Sequence, residues 1–211
     1  GAFYMGRDWT TRGNVIRYNF FHDIHGPYTH GAMAVYLDDA ASGTTIFGNV
    51  FYKASRAAFI GGGRDNIVEN NVFVECNPGV HIDSRGLGWA KKYVVPGGGW
   101  EMYKKLEAVN HAQPPYSERY PQLVTLLDDD PAVPKGNVIA RNVFVGGKHF
   151  NLSKEGEEFA VIEDNFTEGD PGFIDAEHLN FQLKDDSPVY ELGFKRIPFE
   201  EIGLRHDEFR P

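Results

Sequence analysis

The sequence predicts an all-β solenoid, a parallel β-helix with about 22 residues per coil. The motif Asn-x-Ile/Val-x-x-Asn-x-Phe recurs along the chain, and the second Asn of its strong and weaker copies is Asn19, Asn49, Asn71, Asn142 and Asn165. The gaps of 30, 22, 71 and 23 residues fit one period that carries insertions of about 8 and about 49 residues. Each copy alternates apolar and polar residues before a small residue, which is typical of a short strand and a bend. A leucine-rich repeat has the same period but needs a leucine grid, which is missing here.

The recurrent asparagines are predicted to stack from coil to coil at one bend. Their side-chain amides carry both donors and an acceptor, so they can hydrogen-bond along the solenoid axis as in other amide ladders. This ladder supplies a register for the rest of each coil.

In that register, four further segments are predicted to lie side by side, at residues 2–6, 34–38, 57–61 and 79–83. Side chains alternate between the two faces of a strand. The inward columns are Met5, Leu37, Ile60 and Ile82, and Phe3, Val35, Ala58 and Val80. The outward columns are Tyr4, Tyr36, Phe59 and His81, and Gly6, Asp38, Gly61 and Asp83.

Composition limits the partners. The 211 residues carry a net charge of −9 without a block of Lys or Arg, which argues against nucleic acid and against an anionic membrane surface. A neutral or weakly charged ligand fits better.

The one cysteine, Cys76, lies in an apolar run and is expected to be buried. The chain begins inside a strand pattern, so we expect earlier coils of the same protein, and any export signal, to precede it.

We predict one β-helix domain over residues 1–211, interrupted by a partly helical insertion at 84–136 and followed by a capping tail at 169–211. The insertion is rich in Trp, Tyr, Pro and Gly, with helices expected near 100–111 and 117–127. It leaves the repeat directly after Asp83, so it can fold over the outward columns as a lid or wall. The alternative is a packing excursion without function. The tail is expected to cover the last coil and hide its strand edges.

Asp38 and Asp83 are the candidate catalytic residues. They share an outward column two coils apart, and a coil spacing of about 4.8 Å separates their backbones by roughly 10 Å. This range overlaps the carboxyl separations of glycosidases. Gly61 lies between them and is expected to leave an empty space for a sugar ring or a water molecule. Alternatively both aspartates only cap strand ends, and Asp39 competes with Asp38 because a one-residue slip exchanges the faces.

Candidate substrate-binding residues surround this pair. Sugar faces stack on aromatic rings and hydroxyls bond to Arg or carboxylates, and the residues in question are Tyr36, His81, Arg64, Arg85 and Trp89. His30, in the longer coil before the Asp38 segment, is a candidate for substrate contact or proton relay. It belongs to a segment with His22 and His25, but no carboxylate or cysteine set completes a metal site there.

Several segments together resemble the C-terminal half of bacterial right-handed parallel β-helix carbohydrate-active proteins. They are Tyr-Leu-Asp-Asp at 36–39, His-Ile-Asp-Ser-Arg-Gly at 81–86, Pro-Pro-Tyr-Ser-Glu-Arg-Tyr-Pro at 114–121 and Asp-Pro-Gly-Phe-Ile-Asp at 170–175. The nearest named group is glycoside hydrolase family 141, which has fucosidase and xylanase activities. The resemblance implies a right-handed helix, a secreted or periplasmic location and a retaining pair formed by Asp83 with Asp38 or Asp39. It does not assign nucleophile and acid.

Three functions follow as hypotheses. The first is hydrolysis of a glycosidic bond in a plant or algal polysaccharide through the two aspartates, with no cofactor. The second is a polysaccharide lyase, with Arg64 or Arg85 as base and Ca²⁺ on acidic residues; the net negative charge disfavours it because uronate substrates are anionic. The third is a non-catalytic carbohydrate-binding or structural β-helix.

Overall fold

The structure is a computed structural model that describes residues 1–27 and 31–203, and it is mostly β with few helices. Three parallel sheets dominate. Sheet A contains β1 (Phe3–Gly6), β4 (Met33–Asp38), β7 (Arg56–Gly61), β10 (Val80–Asp83) and β13 (Phe150–Leu152). Sheet B contains β2 (Val15–Arg17), β5 (Thr45–Phe47), β8 (Ile67–Glu69), β11 (Val138–Ala140) and β14 (Val161–Glu163). Sheet C contains β3 (Phe20–His22), β6 (Val50–Tyr52), β9 (Val72–Val74) and β12 (Val143–Val145).

The chain visits sheets A, B and C in rotation, and we call each such pass a coil. Within these three sheets, each strand pair is parallel and joins corresponding strands of successive coils. This arrangement is compatible with a parallel β-helix or another solenoid. It brings residues far apart in sequence onto neighbouring strands.

The core lies between the sheets and is formed by the inward columns. Stacked rings of Phe21, Phe51, Phe73 and Phe144, one from each coil, run through it at centroid spacings of 5.1, 4.8 and 4.8 Å. The predicted inward columns on sheet A are confirmed, with Val35, Leu37, Ile60 and Ile82 fully buried. Cys76 is buried in the same cluster, as expected.

The asparagine ladder is confirmed. Each side-chain amide of the series donates to the next, with Nδ2 to Oδ1 distances of 2.9 Å from Asn19 to Asn49 and 3.0 Å for the three following pairs. The residue before each ladder position bends the chain between sheets B and C with a positive φ, at Tyr18, Gly48, Asn70, Arg141 and Asp164. The asparagine amides also hydrogen-bond to buried backbone groups at this corner. Those backbone groups have no partner in a sheet, because the chain bends there.

The segment 84–136 contains α1 (Met102–Ala108), α2 (Tyr116–Arg119) and three 3₁₀ turns, at Lys91–Tyr93, Pro121–Leu123 and Leu126–Asp128. The prediction of one helix over 117–127 was wrong. Pro121 has no backbone N–H and forces Tyr120 out of the helical region, at φ −133° and ψ 68°. The apolar side chains of the segment pack on Trp9 and Ala40, in the bends that follow β1 and β4.

After β13 follow α3 (Lys154–Glu158), β14 and an antiparallel pair of β15 (Phe173–Asp175) and β16 (Asn180–Leu183), then 3₁₀ turns. The tail packs Phe181, Val189 and Ile197 against the outward side chains of sheet C, including Val72. This differs from the expected cap over the last coil, where Val161 of β14 is still 47% exposed. The physical reason is that sheet C is apolar on its outer face as well and must be covered there.

Candidate functional site

The outward columns of sheet A carry the candidate site, and their predicted register is confirmed. Tyr36 pairs with Tyr4 and with Phe59, and Phe59 pairs with His81. Gly6 pairs with Asp38, and Gly61 pairs with Asp83. One further coil adds Asn151 beside His81. Asp38 and Asp83 therefore lie on the same face, as the alignment of the repeats predicted.

Three carboxylates from two coils converge on one guanidinium. Arg85 donates from Nη2 to Asp83 Oδ2 at 2.7 Å and from Nε to Asp83 Oδ1 at 2.9 Å. Its Nη1 donates to Asp39 Oδ1 at 2.9 Å and also to Asp38 Oδ1. We call Asp38, Asp39, Asp83 and Arg85 the carboxylate cluster.

The expectation of an empty space above Gly61 was wrong. A methyl group built on Gly61 would meet Arg85 Cζ at 2.5 Å and Nη2 at 2.7 Å. Arg85 follows Asp83 by two residues, which lets its side chain turn back over the preceding coil and lie where Gly61 has none. The glycine therefore accommodates the arginine, and the two aspartates are joined by a cation instead of a cavity.

The cluster fixes the charge states of its members. Burial alone would raise the pKa of Asp83, but the imidazole of His81, whose Nε2 lies 3.6 Å from Asp83 Oδ2, and the hydrogen bonds and charge of Arg85 lower that pKa to about 2. Burial alone would lower the pKa of Arg85, yet its hydrogen bonds to Asp83 and Asp39 and the charge of Asp38 raise it above the usual range. At neutral pH, Asp83 is an anion and Arg85 is a cation. An arginine held in this state is poorly suited to act as a base.

Asp38 and Asp39 both contact Arg85, so both predicted candidates for the partner of Asp83 belong to the carboxylate cluster. β4 ends at Asp38, and Asp39 turns the chain with a φ of +42°. Asp39 Oδ2 accepts from Arg7 Nε at 3.0 Å, and Asp38 Oδ2 accepts from the Tyr4 hydroxyl at 3.2 Å. Asp39 is thus held by two arginines, whereas Asp38 is held by one arginine and by the hydroxyls of Tyr4 and Tyr36.

A strip of aromatic rings runs across the coils next to the cluster. The ring centroids are 5.4 Å apart from Tyr4 to Tyr36, 4.8 Å from Tyr36 to Phe59 and 4.3 Å from Phe59 to His81. Asn151 Nδ2 and His81 Nδ1 are 2.8 Å apart. Burial, followed by hydrogen bonding to Asp38, raises the pKa of Tyr36 to about 12. We call Tyr4, Tyr36, Phe59 and His81 the aromatic strip.

Trp89 lies at the edge of the carboxylate cluster, on the 84–136 segment that also carries Arg85. Its ring centroid is 5.6 Å from Arg85 Cζ and 5.9 Å from the ring centroid of Trp100. The side chain is 62% exposed, and Tyr4 at the other end of the strip is 54% exposed. The segment 84–136 therefore borders the strip as a wall and leaves part of it open to a ligand.

Arg64, another predicted binding residue, lies away from the carboxylate cluster. Arg64 is only 4% exposed, and its Nη1 donates to the carbonyls of Asp129 at 2.7 Å and Asp130 at 2.9 Å. Arg64 thereby connects the end of the 84–136 segment to the bend after β7. Because its guanidinium is buried and bonded there, it is not available for the expected substrate contact. His30 lies outside the described residues.

No group of three or more potential metal ligands is found within 1–27 and 31–203. His22 Nδ1 lies 3.0 Å from Asp23 Oδ2, and His25 Nδ1 lies 3.4 Å from Ser55 Oγ. The described histidines of this segment thus have separate partners.

Sequence reasoning missed several residues that complete the site. Tyr4 and Arg7 bind the two adjacent aspartates from the first coil, and Asn151 binds His81 from a later one. Tyr4 was already in the outward column, so its contact could have been anticipated. Asn151 would have required the alignment to continue past the 84–136 segment, with a shift of one residue, since Asn151 is nine residues after Asn142 whereas its partner His81 is ten residues after Asn71.

In the described part of the chain, none of the helices combines the length and apolar character needed to cross a membrane. Comparisons of the chain with protein-family models, with curated proteins and with solved structures found no match.

Proposed function

We propose that the chain hydrolyses a glycosidic bond on the outward face of sheet A. The proposal includes a right-handed β-helix scaffold of the kind found in bacterial carbohydrate-active proteins such as glycoside hydrolase family 141, and a secreted or periplasmic location where polysaccharides occur. The observation that carries it is the convergence of Asp38, Asp39 and Asp83 beside an aromatic strip. Paired carboxylates are the groups that glycosidases use, and aromatic rings bind sugar faces.

The charge states suggest a division of roles. Asp83, with a pKa of about 2, stays ionised and suits the nucleophile. Asp38 is assigned as the acid, since Asp39 is held by two arginines. A carboxylate oxygen of Asp83 attacks the anomeric carbon. The bond between that carbon and the leaving-group oxygen breaks, and the leaving-group oxygen takes the proton of Asp38. Asp38 then removes a proton from water, which hydrolyses the glycosyl ester and restores both residues.

This reaction requires Arg85 to move, because its guanidinium occupies the space between the two carboxylates. Its side chain has the exposed ring of Trp89 beside it, within cation–π distance. A sugar that enters above Gly61 would displace the guanidinium towards that ring. The carboxyl group of Asp38 would then be released from its contact with the guanidinium.

The same arginine favours a second function, the binding of carbohydrate without cleavage. With Arg85 in place, its guanidinium contacts all three carboxyl groups and fills the space above Gly61. The exposed aromatic rings would still bind sugars. A lyase is less favoured, because the raised pKa of Arg85 keeps that residue protonated and because the guanidinium of Arg64 is occupied by the carbonyls of Asp129 and Asp130.

Asp83→Asn tests the proposal. We expect wild-type protein to release reducing ends from at least one member of a panel of plant and algal polysaccharides, and Asp83→Asn to lose at least about 1000-fold in rate because the nucleophile is removed. Asp164→Asn, an exposed bend residue, is the matched control and should keep full activity. Circular dichroism verifies that each variant is folded.

The products separate the three functions. Reducing ends without ultraviolet absorbance indicate hydrolysis, whereas an unsaturated absorbing product indicates a lyase. Polysaccharide binding without any product supports the non-catalytic function. Full activity in Asp83→Asn would contradict the assigned role.

A further inference from the structure

An open groove of about 520 Å³ lies at the opposite end of the sheet A strands from the carboxylate cluster. It is formed where the chain enters β7 and β13 and by the bend before β10. Its polar lining includes Lys53, Ser55, Arg56, Asn77, Lys148 and Asn151. We call it the basic groove.

Positive charge predominates in the basic groove. Lys53, Arg56 and Lys148 line it against one carboxylate, that of Glu75. Lys53 Nζ lies 3.7 Å from Glu75 Oε2, so these two charges offset each other. Among the residues that the structure describes, no carboxylate forms an ion pair with Arg56 or Lys148. Two cations without an acidic partner are notable in a chain whose net charge is −9.

The basic groove adjoins the aromatic strip. The Cζ atoms of Arg56 and Arg85 each lie 5.3 Å from the ring centroid of Phe59, so the phenyl ring connects the groove to the carboxylate cluster. On the next strands, Lys148 Nζ donates to Asn151 Oδ1 at 3.0 Å, and the amide of that residue contacts His81. The six-residue strand β7 spans about 16 Å from groove to cluster at 3.3 Å per residue.

We propose that the basic groove binds an anionic substituent of the glycan, the carboxylate of a uronic acid or a sulfate ester, while another sugar unit lies at the carboxylate cluster. This inference rests on the proposed carbohydrate function and specifies its substrate class. The guanidinium of Arg56 can donate two parallel hydrogen bonds to such an anion, and the ammonium of Lys148 can add a third. The hydroxyl of Ser55 and the amide of Asn77 line the same groove and can bind neighbouring sugar hydroxyls.

Binding of three soluble polysaccharides at low ionic strength tests the proposal. Polygalacturonate carries carboxylates, a sulfated galactan carries sulfate esters, and xyloglucan is the neutral probe. The Arg56→Gln/Lys148→Gln variant is compared with the Arg17→Gln/Lys184→Gln variant, which removes the same charge from exposed positions outside the groove. Each variant is also compared with wild type in thermal unfolding.

We expect at least one anionic polysaccharide to bind the wild-type protein more tightly than xyloglucan does. The groove variant should then lose about tenfold or more in affinity for that polysaccharide, because charge-assisted hydrogen bonds are removed. Its affinity for xyloglucan should change less than about twofold, and the control variant should bind like wild type. Preference for polygalacturonate over the galactan would assign the anion as carboxylate, and the reverse preference as sulfate.

Equal losses in both variants would overturn the inference, because they would show a general effect of net charge. Binding of xyloglucan without any preference for an anionic polysaccharide would overturn it as well and would leave the carbohydrate function in place. If none of the three polysaccharides binds, both the inference and the proposed function are contradicted.

Discussion

Arg85 holds together charges that two different coils supply. Its side chain is only 8% exposed and contacts carboxylates that are themselves largely buried, on Asp38, Asp39 and Asp83. Bringing charged groups out of water is unfavourable unless they are paired and hydrogen-bonded. The cluster meets this condition because the planar guanidinium directs three nitrogen atoms at three carboxyl groups. The four residues of the carboxylate cluster therefore stabilise one another, and removing one of them leaves the others with unpaired buried charge.

Replacing Arg85 with Met should strongly destabilise the protein. It leaves three nearby carboxylates without a buried cation, and breaking a buried ion pair from one side destabilises by about 3–5 kcal/mol. Arg85→Lys keeps the charge but not the planar contacts of the guanidinium, so it should lose less stability than Arg85→Met. Urea unfolding at pH 7 measures both. The loss in Arg85→Met should shrink at pH 4, where carboxylates take up protons; a loss that is independent of pH would contradict the charge argument.

Asp83 should make stability depend on pH in the acid range. Its folded-state pKa is about 2, below the ordinary value of 3.8, so the folded state binds its proton less readily than the unfolded state. The resulting stabilisation, about 2 kcal/mol, is complete above pH about 4 and is lost as pH falls through about 2. In urea unfolding between pH 2 and 6, Asp83→Asn should remove this part of the acid dependence. An unchanged pH profile would show that Asp83 is not held as an anion.

The asparagine ladder fixes how strands of successive coils align. Asn71 accepts from the backbone N–H and the side chain of Asn49 and donates to the Asn142 side chain and to the carbonyl of Ile46. Each ladder residue therefore serves the corner of its own coil and of the next. The register of sheet A, and with it the proximity of Asp38 to Asp83, depends on these elements.

Asn71→Ala should destabilise the protein by about 3 kcal/mol, because several buried backbone groups lose partners and each unsatisfied group costs about 1–3 kcal/mol. Asn19→Ala is the matched control. It removes the same amide from the first coil, where the residue is exposed, and should cost about 1 kcal/mol or less. Equal effects of both substitutions in urea unfolding would contradict the role given to the buried ladder.

The register of the elements could be predicted because each coil repeats the same alternation next to the same asparagine. The repeat alone aligns Tyr36 with Phe59 and Gly61 with Asp83, and both pairs are found on neighbouring strands. The path of a long side chain could not be predicted in this way. Arg85 turns back over Gly61, and no periodicity specifies that rotamer.

The non-repeating parts were less predictable for a related reason. The 84–136 segment packs through a separate apolar cluster around Trp9 and Leu106, whose members have no fixed spacing. The tail was expected on the last coil, but it packs on sheet C, where Val50 and Val72 face outward. Alternation identifies inward residues, but it does not identify which apolar outward residues will attract another part of the chain.

At the scale of the whole molecule, the outward face of sheet A is exposed at its margins, at Tyr4 and at the adjoining Trp89, whereas Phe59 in its centre is only 3% exposed. The 84–136 segment covers bends beside this sheet, and the tail covers sheet C. The basic groove, the aromatic strip and the carboxylate cluster follow one another along this face. A glycan chain could contact all three, with its anionic group at the groove and its scissile bond at the cluster.

Chemical rescue of Asp83→Ala tests the proposed nucleophile most directly. On the polysaccharide that the wild type cleaves fastest, the variant should be inactive, and added azide should restore cleavage by attacking the anomeric carbon in place of the missing carboxylate. We expect a glycosyl azide as the product. Asp39→Ala, which removes a carboxylate from the same cluster, should give no such product. Cleavage by Asp83→Ala at the wild-type rate without azide would contradict the role of Asp83.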